Sequence, residues 1–144
     1  MAIDKHSGET ALASMAKAMD PNLTDGELAT LSRSEEAKIR AVVGSRVETP
    51  LTTLLKLATD QAASVRAGVA RNRRPEIPED LFDQLSRDKS IEVIYALIEN
   101  PAVPDSVIGR LARHYHKEYS AAARTRLSAK GGAAKVLGQF GISS

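Results

Sequence analysis

The hydrophobic positions of this chain recur in four blocks of similar length. A leucine anchors each block, and these anchors, separated by 26, 28 and 26 residues, are Leu31, Leu57, Leu85 and Leu111. Seven residues before each anchor stands a residue that commonly begins a helix, and this set is Thr24, Pro50, Pro78 and Pro104. The joint recurrence of the two residue types predicts an internal repeat.

Three further positions follow the same register. The residues eight after each anchor, here called position +8, are Ile39, Val65, Val93 and Tyr119. Those at position +12 are Val43, Val69, Leu97 and Ala123. Those at position +15 are Arg46, Asn72, Asn100 and Arg126. The first two sets predict buried side chains, and the pattern is strongest in the two middle blocks.

The spacing within a block indicates helices rather than strands. Leu28 precedes Leu31 by three residues, and Leu81 precedes Leu85 by four, so each pair shares one face of a helix. Ankyrin, tetratricopeptide and HEAT repeats are longer, at about 33 to 47 residues. A block of about 26 residues has room for two helices of about two turns each, and we expect one of them to be a short 3₁₀ segment.

The second block carries a signature that resembles the variant leucine-rich repeat family. The matching residues run from Leu54-x-x-Leu57-Ala58-x-Asp60 to Val65-Arg66-x-x-Val69-Ala70-x-Asn72, and the third block repeats them less faithfully. The resemblance covers roughly residues 24–127. It implies a right-handed solenoid that alternates α-helices with short 3₁₀ helices, and it implies no single activity.

We therefore predict an all-α fold, a right-handed α-solenoid of about four short helix-pair repeats, similar to variant leucine-rich and HEAT repeats. Residues 1–9 are expected to be a flexible leader. Residues 10–127 are expected to form one helical-repeat domain that begins with a capping helix at residues 10–20. Residues 128–144 are expected to be a C-terminal cap or a flexible tail.

Both ends of the predicted domain have recognisable signals. The capping helix should turn the stripe formed by Leu12, Met15, Ala16 and Met19 towards the first repeat, and Asp20-Pro21 should end it. Thr24 and Glu27 form the sequence of a capping box. At the other end we expect Gly131-Gly132 to break the last repeat helix.

Composition narrows the classes of function. The chain lacks cysteine, which excludes disulfides, thiol catalysis and cysteine-held metal clusters. It has no apolar run of the length that spans a bilayer, so we expect a cytoplasmic protein without a membrane partner. The net charge of +2 is uneven, because residues 105–144 carry 7 basic and only 2 acidic side chains.

Titratable residues form no recognisable catalytic or metal-binding motif. His114 and His116 would lie about 200° apart on a helix, which is unsuitable for sharing a metal. Asp60 and Asp88 recur at position +3, which favours capping of the second helix in each pair. Asn72 and Asn100 are typical of helix ends, where asparagine tolerates a left-handed backbone. We expect no enzyme activity, no cofactor and no metal.

Arginines are the strongest candidates for a functional site. Charged groups at a helix end can simply complement the helix dipole, and Glu36 and Arg40 have the spacing of a surface ion pair. A row of arginines along adjacent repeats could also contact another molecule, and the candidate partner-binding residues are Arg40, Arg46, Arg66, Arg71, Arg73 and Arg74. The sequence therefore predicts a non-enzymatic scaffold for protein–protein interaction. The alternative is nucleic-acid binding through this arginine-rich face, although stacking aromatic residues are few.

Overall fold

The computed structural model describes the backbone of residues 12–141 and the side chains of residues 12–129. The predicted leader at residues 1–9 lies outside this range. Within residues 12–141 the secondary structure is all-α, with nine helices: α1 (residues 12–18), α2 (Asp25–Leu31), α3 (Ala37–Ser45), α4 (Leu51–Leu57), α5 (Ala63–Ala70), α6 (Glu79–Leu85), α7 (Ile91–Glu99), α8 (Asp105–Ala112) and α9 (Lys117–Gly141).

The helices contact mostly their neighbours in the chain, as expected for a repeat-like arrangement. Each even-numbered helix from α2 to α8 begins a pair that the following odd-numbered helix completes. The second helices of the pairs pack on one another, α3 on α5, α5 on α7 and α7 on α9, and this stack provides most contacts between repeats. Helices of two turns are marginal alone in water, so the packing between pairs stabilises each of them.

The predicted register of buried positions is confirmed. The exposed fractions of the four anchors are 7, 3, 1 and 0%, for Leu31, Leu57, Leu85 and Leu111. All eight residues at positions +8 and +12 are also buried. The fourth block, whose sequence pattern is the weakest, therefore buries the same register positions as the others.

The predicted helix starts are also confirmed. Thr24 forms a capping box, because its hydroxyl accepts from the backbone N–H of Glu27 at 3.1 Å and the Glu27 carboxylate accepts from the N–H of Thr24 at 3.1 Å. Pro50, Pro78 and Pro104 are N-cap residues with extended backbone, and their φ angles lie between −59° and −62°. A proline ring fixes φ near this value, so it defines the start of each first helix.

The expectation of a separate 3₁₀ helix in each pair is wrong for the described residues. The N-cap carbonyl of Pro50 accepts from the N–H of Leu54 at 3.0 Å, and that of Leu54 accepts from Ala58 at 2.9 Å. These are α-type bonds, and they begin at the cap. Tighter bonds between residues three apart occur at both ends of the helices, for example from the N–H of Thr53 to the carbonyl of Pro50 at 3.0 Å and from the N–H of Asp60 to the carbonyl of Leu57 at 3.1 Å.

Helix α1 ends before Asp20-Pro21 as predicted, but its predicted apolar stripe is only partly right, because Met15 alone of the four residues packs against the core. Leu12 and Met19 are 75% and 65% exposed, whereas Ala18 is fully buried. The contact is made by the last turn of α1, because Nη1 of Arg46 donates to the carbonyl of Ala18 at 2.6 Å. A small side chain at Ala18 suits this close approach to the first repeat.

The prediction that Gly131-Gly132 breaks the last helix is also wrong. Helix α9 continues through both glycines to Gly141. A glycine inside a helix costs about 1 kcal/mol relative to alanine, and that cost does not by itself end a helix. The sequence also predicts a small apolar cluster of Val136, Leu137, Phe140 and Ile142 at this end, and these residues lie outside the described side chains.

Gly68 permits a close contact between two repeats. A Cβ atom added to Gly68 in α5 would lie 2.5 Å from the carbonyl oxygen of Ala41 in α3. Backbone atoms of a helix cannot yield easily, so any side chain at this position would push the two helices apart.

We expect Gly68→Ala to lower the free energy of unfolding by about 1–3 kcal/mol, the usual range for overpacking. The matched control is Gly26→Ala in α2, where the added Cβ would meet only the Thr24 hydroxyl at 4.0 Å. That control should stabilise the protein by about 0.4–1 kcal/mol, because alanine restricts the unfolded chain. Urea denaturation followed by circular dichroism measures both changes, and a stabilised Gly68→Ala variant would contradict the close contact.

Candidate interaction surface

Two of the six candidate arginines link consecutive repeats through paired bonds to aspartate. Arg40 donates to both oxygens of Asp60, from Nε at 2.8 Å and from Nη2 at 3.1 Å. Arg66 donates in the same way to Asp88 in the next repeat, at 2.7 and 3.2 Å. Their Nη1 groups donate to the backbone carbonyls of Ser34 and Asp60, both at 2.7 Å.

These four side chains, Arg40, Asp60, Arg66 and Asp88, form an Arg–Asp row across three repeats. Arg40 and Asp60 keep only 18% and 13% of their side-chain surface exposed, so the row is largely internal. The predicted surface pair of Glu36 with Arg40 is replaced by this arrangement. The planar guanidinium matches the carboxylate in two bonds at once, which a flexible surface pair does not provide.

The row perturbs the ionisation of its members. Burial is the largest influence on the Asp60 carboxyl and would raise its pKa. The hydrogen bonds from Arg40 and from the N–H of Ala62, with the charges of Arg40 and Arg66, outweigh burial and lower the pKa of Asp60 below its usual 3.8. The bond to Asp60 raises the pKa of Arg40, and the bond to Asp88 raises that of Arg66.

The lowered pKa of Asp60 predicts a loss of stability in acid. The folded state holds the ionised carboxylate more firmly than the unfolded state does, so its contribution is complete above pH 3.8 and disappears as the pH falls further. Asp60→Asn should therefore flatten the decline of the unfolding free energy below that pH. Glu27, whose pKa is lowered to about 2 by its bonds to Lys17 and Thr24, contributes in the same direction.

Denaturant melts at a series of pH values between about 2 and 5 measure this effect. Glu27→Gln is measured beside Asp60→Asn. The Glu27 carboxylate is exposed and lies 2.9 Å from Lys17, and its removal should also flatten the decline of the unfolding free energy in acid. An Asp60→Asn protein with the same acid slope as the parent would show that Asp60 is not specifically stabilised as an anion.

The prediction that Asp60 and Asp88 cap the second helices is only partly right. Each carboxylate accepts from the backbone N–H two residues later, at Ala62 and at Ser90, both at 2.9 Å. Those N–H groups belong to the N-cap residues themselves and not to the first turn of the helix. The aspartates therefore fix the turn before the helix, and their carboxylate oxygens also accept hydrogen bonds from arginine.

Position +15 forms a second set of links between repeats, here called the carbonyl-binding row: Arg46, Asn72, Asn100 and Arg126. The amide of Asn72 donates to the carbonyls of Gly44 and Arg46, both at 2.8 Å. The amide of Asn100 donates to the carbonyls of Ala70 and Asn72, both at 2.8 Å.

The two arginines play the same role at the ends of this row. Arg46 binds the carbonyl of Ala18 at the end of α1, and Arg126 binds four carbonyls of the preceding repeat, at 2.7–3.1 Å. Burial lowers the pKa of Arg126. The expected left-handed backbone at Asn72 and Asn100 is wrong, since the described residues include no non-glycine residue with positive φ.

The remaining three candidate arginines lie where α5 is joined to α6. Arg74 donates through Nη1 to the carbonyls of Val47 and Thr49 at 2.8 and 3.1 Å. Arg71 is half exposed and lies 3.7 Å from Glu92. Arg73 is exposed, and its side chain forms no hydrogen bond or ion pair with the described residues.

The loop that carries Arg73 is the longest connection between two repeats. Residues 73–77 separate Asn72 from Pro78, whereas three residues stand at the corresponding place in the repeats before and after. The two extra residues account for the spacing of 28 between the second and third anchors. Arg71 and Arg73 line an open cleft of about 230 Å³ together with Ala96, Glu99 and Asn100.

Sequence reasoning missed an aromatic site at the last repeat. All three tyrosines of the chain and two of its three histidines lie together, and we call them the aromatic end cluster: Tyr95, His114, Tyr115, His116 and Tyr119. His116 stacks on Tyr119 with ring centroids 4.2 Å apart, and Tyr95 meets the edge of Tyr119 at 5.8 Å. Burial raises the pKa of Tyr119.

The repeat register explains where this cluster forms. His114 occupies the position of Asp60 and Asp88, and Ile94 occupies that of Arg40 and Arg66. The Arg–Asp row therefore ends, and rings replace it. The Nδ1 atom of His114 still accepts from the N–H of His116 at 3.0 Å, as the aspartates do. The signal in the sequence is that all three tyrosines fall in the third and fourth blocks.

The histidine pair does not lie on a helix, in contrast to the expectation from the sequence. His114 and His116 belong to the turn before α9, and their ring centroids are 6.4 Å apart. Among the described residues, no group of three or more histidine, aspartate or glutamate side chains is placed to hold a metal ion.

Comparison of the chain with protein-family models, with curated proteins and with solved structures gives no match. None of the helices in the described part of the chain combines the length and the apolar character that a membrane crossing requires.

Proposed function

We propose that this protein is a non-enzymatic helical-repeat scaffold that binds another protein. The proposal includes a right-handed solenoid of the variant leucine-rich kind. Support for that architecture comes from the repeat of about 26 residues, the buried anchor leucines and the stacked second helices. The α-helical form of both helices in each pair is a departure from that family's pattern.

One observation carries the choice of binding surface. The lengthened loop at residues 73–77 interrupts an otherwise regular register and exposes Arg73 beside Arg71 at an open cleft. Insertions in repeat proteins collect on one face, which is often the binding face. Two guanidinium groups at such a cleft suit carboxylates, which they can bind in pairs of hydrogen bonds.

The other four candidate arginines support the scaffold in a different way. Arg40, Arg46, Arg66 and Arg74 already donate to carboxylates or carbonyls of neighbouring repeats. These bonds hold adjacent repeats in register and reduce the number of arginines available to phosphates. The alternative function, nucleic-acid binding along the whole arginine row, is therefore less well supported than binding of an acidic protein surface at Arg71 and Arg73.

The experiment is affinity capture with the full chain, followed by identification and direct binding of each captured protein. The double variant Arg71→Glu with Arg73→Glu should weaken binding at least about tenfold, which corresponds to about 1.4 kcal/mol. The matched control is Lys38→Glu with Lys56→Glu, which reverses two exposed charges on α3 and α4.

A partner bound equally by both double variants would contradict the assignment of this cleft. Recovery of no protein above the background of an empty support would contradict the scaffold function itself. Circular dichroism of each variant confirms that the repeat fold is retained, since all four positions are exposed at the surface.

A further inference from the structure

We propose that the aromatic end cluster and the basic residues around it form a binding site for single-stranded nucleic acid. This site is separate from the cleft at Arg71 and Arg73, and the proposal does not depend on the proposed protein partner. It rests on an exposed ring, a fixed support for that ring and the charges of the same edge.

Tyr115 provides the exposed ring. It is 90% exposed, although its ring stacks on that of His114 with centroids 4.5 Å apart and planes 24° apart. One face of Tyr115 is thus supported, and the outer face is open to solvent. A base can stack on such a face whatever its sequence, because every base has a flat π surface.

The support beneath Tyr115 is fixed before any ligand binds. His114 is held by the bond from the N–H of His116 to its Nδ1 atom at 3.0 Å. The His114 ring also makes an edge contact with Tyr119, with centroids 5.2 Å apart, and Tyr119 is 7% exposed. A base that stacks on Tyr115 would therefore meet a preformed stack of rings, which lowers the entropic cost of binding.

Basic side chains flank this ring in the chain and occupy the equivalent position one repeat earlier. Arg113 and Lys117, two residues on either side of Tyr115, are exposed, as is Lys89, which occupies the position of Tyr115 in the preceding repeat. Their side chains form no ion pair with the described residues. Glu118 is the one carboxylate between residues 113 and 119. Positive charges beside a stacking ring are the combination that binds the backbone and the bases of a single strand.

The same edge of the first two repeats lacks this combination. The positions of Arg113 and Tyr115 are occupied by Arg33 and Glu35 in the first repeat and by Thr59 and Gln61 in the second. Those residues are exposed but include no aromatic ring. The chain therefore contains its own controls at equivalent places in the repeat.

The test measures fluorescence anisotropy of a labelled single strand of about 12 nucleotides with the full chain at about 50 mM salt, where phosphate contacts are strong. We expect salt-dependent binding that is weaker for the matched duplex, whose bases are already stacked on each other. Tyr115→Ala should weaken binding about 5- to 150-fold, the equivalent of 1–3 kcal/mol for one stacked base. Tyr115→Phe should bind as the parent does.

Charge and position are tested with two further sets of variants. Arg113→Gln and Lys117→Gln should each reduce the slope of log affinity against log salt by about 0.7. Gln61→Ala and Arg33→Gln, the equivalent changes in earlier repeats, should leave the affinity unchanged. All these residues are exposed, so loss of folding does not confuse the result, and thermal melting checks this.

Three results would overturn the proposal. The first is no salt-dependent binding of the strand by the parent chain. The second is equal binding by the parent and by Tyr115→Ala. The third is equal affinity for the duplex and the single strand, which would show attraction to phosphates without stacking. A protein partner that requires Tyr115, found together with the first result, would assign the ring to a protein interface instead.

Discussion

Leu85→Ala is expected to lower the free energy of unfolding by about 2–5 kcal/mol, and Leu57→Ala by a similar amount. The two side chains are 1% and 3% exposed. Each ends the first helix of its pair and packs in the continuous core between repeats. Truncation removes apolar contacts and leaves a cavity, because helices that are fixed by links on both sides cannot collapse into the space.

The matched control is Leu55→Ala, which changes the same residue type in the same helix as Leu57. Leu55 is 47% exposed, so its replacement should change the unfolding free energy by no more than about 0.5 kcal/mol. Urea titrations of the three variants and the parent provide the comparison. Losses below about 1 kcal/mol at both Leu57 and Leu85 would contradict the packing of the anchors.

The core register was predictable because it depends on side chains that repeat at fixed intervals. Leucine, valine and isoleucine at helical spacing predict burial in any repeat of two helices, and Pro50, Pro78 and Pro104 define where each unit starts. The structure adds the contacts that join one unit to the next. These depend on how the units stack, which no single block of sequence contains.

The arginines illustrate this limit. The sequence predicts that Arg40 pairs with Glu36 at the surface, but its partner Asp60 belongs to the next repeat. A signal was present, since Arg66 and Asp88 recur in the same relation one repeat later. Residues of opposite charge that recur in register across repeats indicate a link between units. The Glu36–Arg40 pair occurs in one block only, so it is a weaker signal.

The ends of the chain were the least predictable parts. Hydrophobicity alone predicts that Leu12 and Met19 face the core, yet the structure buries Ala18 and exposes both of them. At an end, a helix contacts neighbours on one side only, so a short side chain that permits close approach can outweigh larger apolar ones. The same reasoning applies to α9, where two glycines weaken the helix without ending it.

Asn100→Ala is expected to cost about 3 kcal/mol or more, since each buried polar group left without a partner costs about 1–3 kcal/mol. The side chain is 3% exposed. Its amide donates to the carbonyls of Ala70 and Asn72, and its oxygen accepts from the N–H of Ala102 at 2.9 Å. Alanine removes all three bonds, and the two to the carbonyls of Ala70 and Asn72 are buried away from water.

Asn100→Asp separates the bond that the side-chain oxygen accepts from the two bonds that the amide group donates. It keeps an acceptor for Ala102 but faces the carbonyls of Ala70 and Asn72 with an anion, so it should be at least as destabilising as alanine. Asn22→Ala, at an exposed position in the turn after α1, should change stability by no more than about 0.5 kcal/mol. A loss below about 1 kcal/mol for Asn100→Ala would contradict a structural role for the carbonyl-binding row.

The position of Asn100 in the stack gives the variant a second, independent readout. The stability of a repeat protein is a sum of unit stabilities and interfaces between neighbours, and Asn100 lies at the interface between the second and third repeats. Asn100→Ala should therefore uncouple the first two repeats from the last two. We expect amide exchange in α7 and α9 to become faster than in α3. The replacement of a core leucine such as Leu57, in contrast, also weakens the unit that contains it. Uniform acceleration of exchange along the described helices in Asn100→Ala would show that the row contributes stability without coupling the repeats.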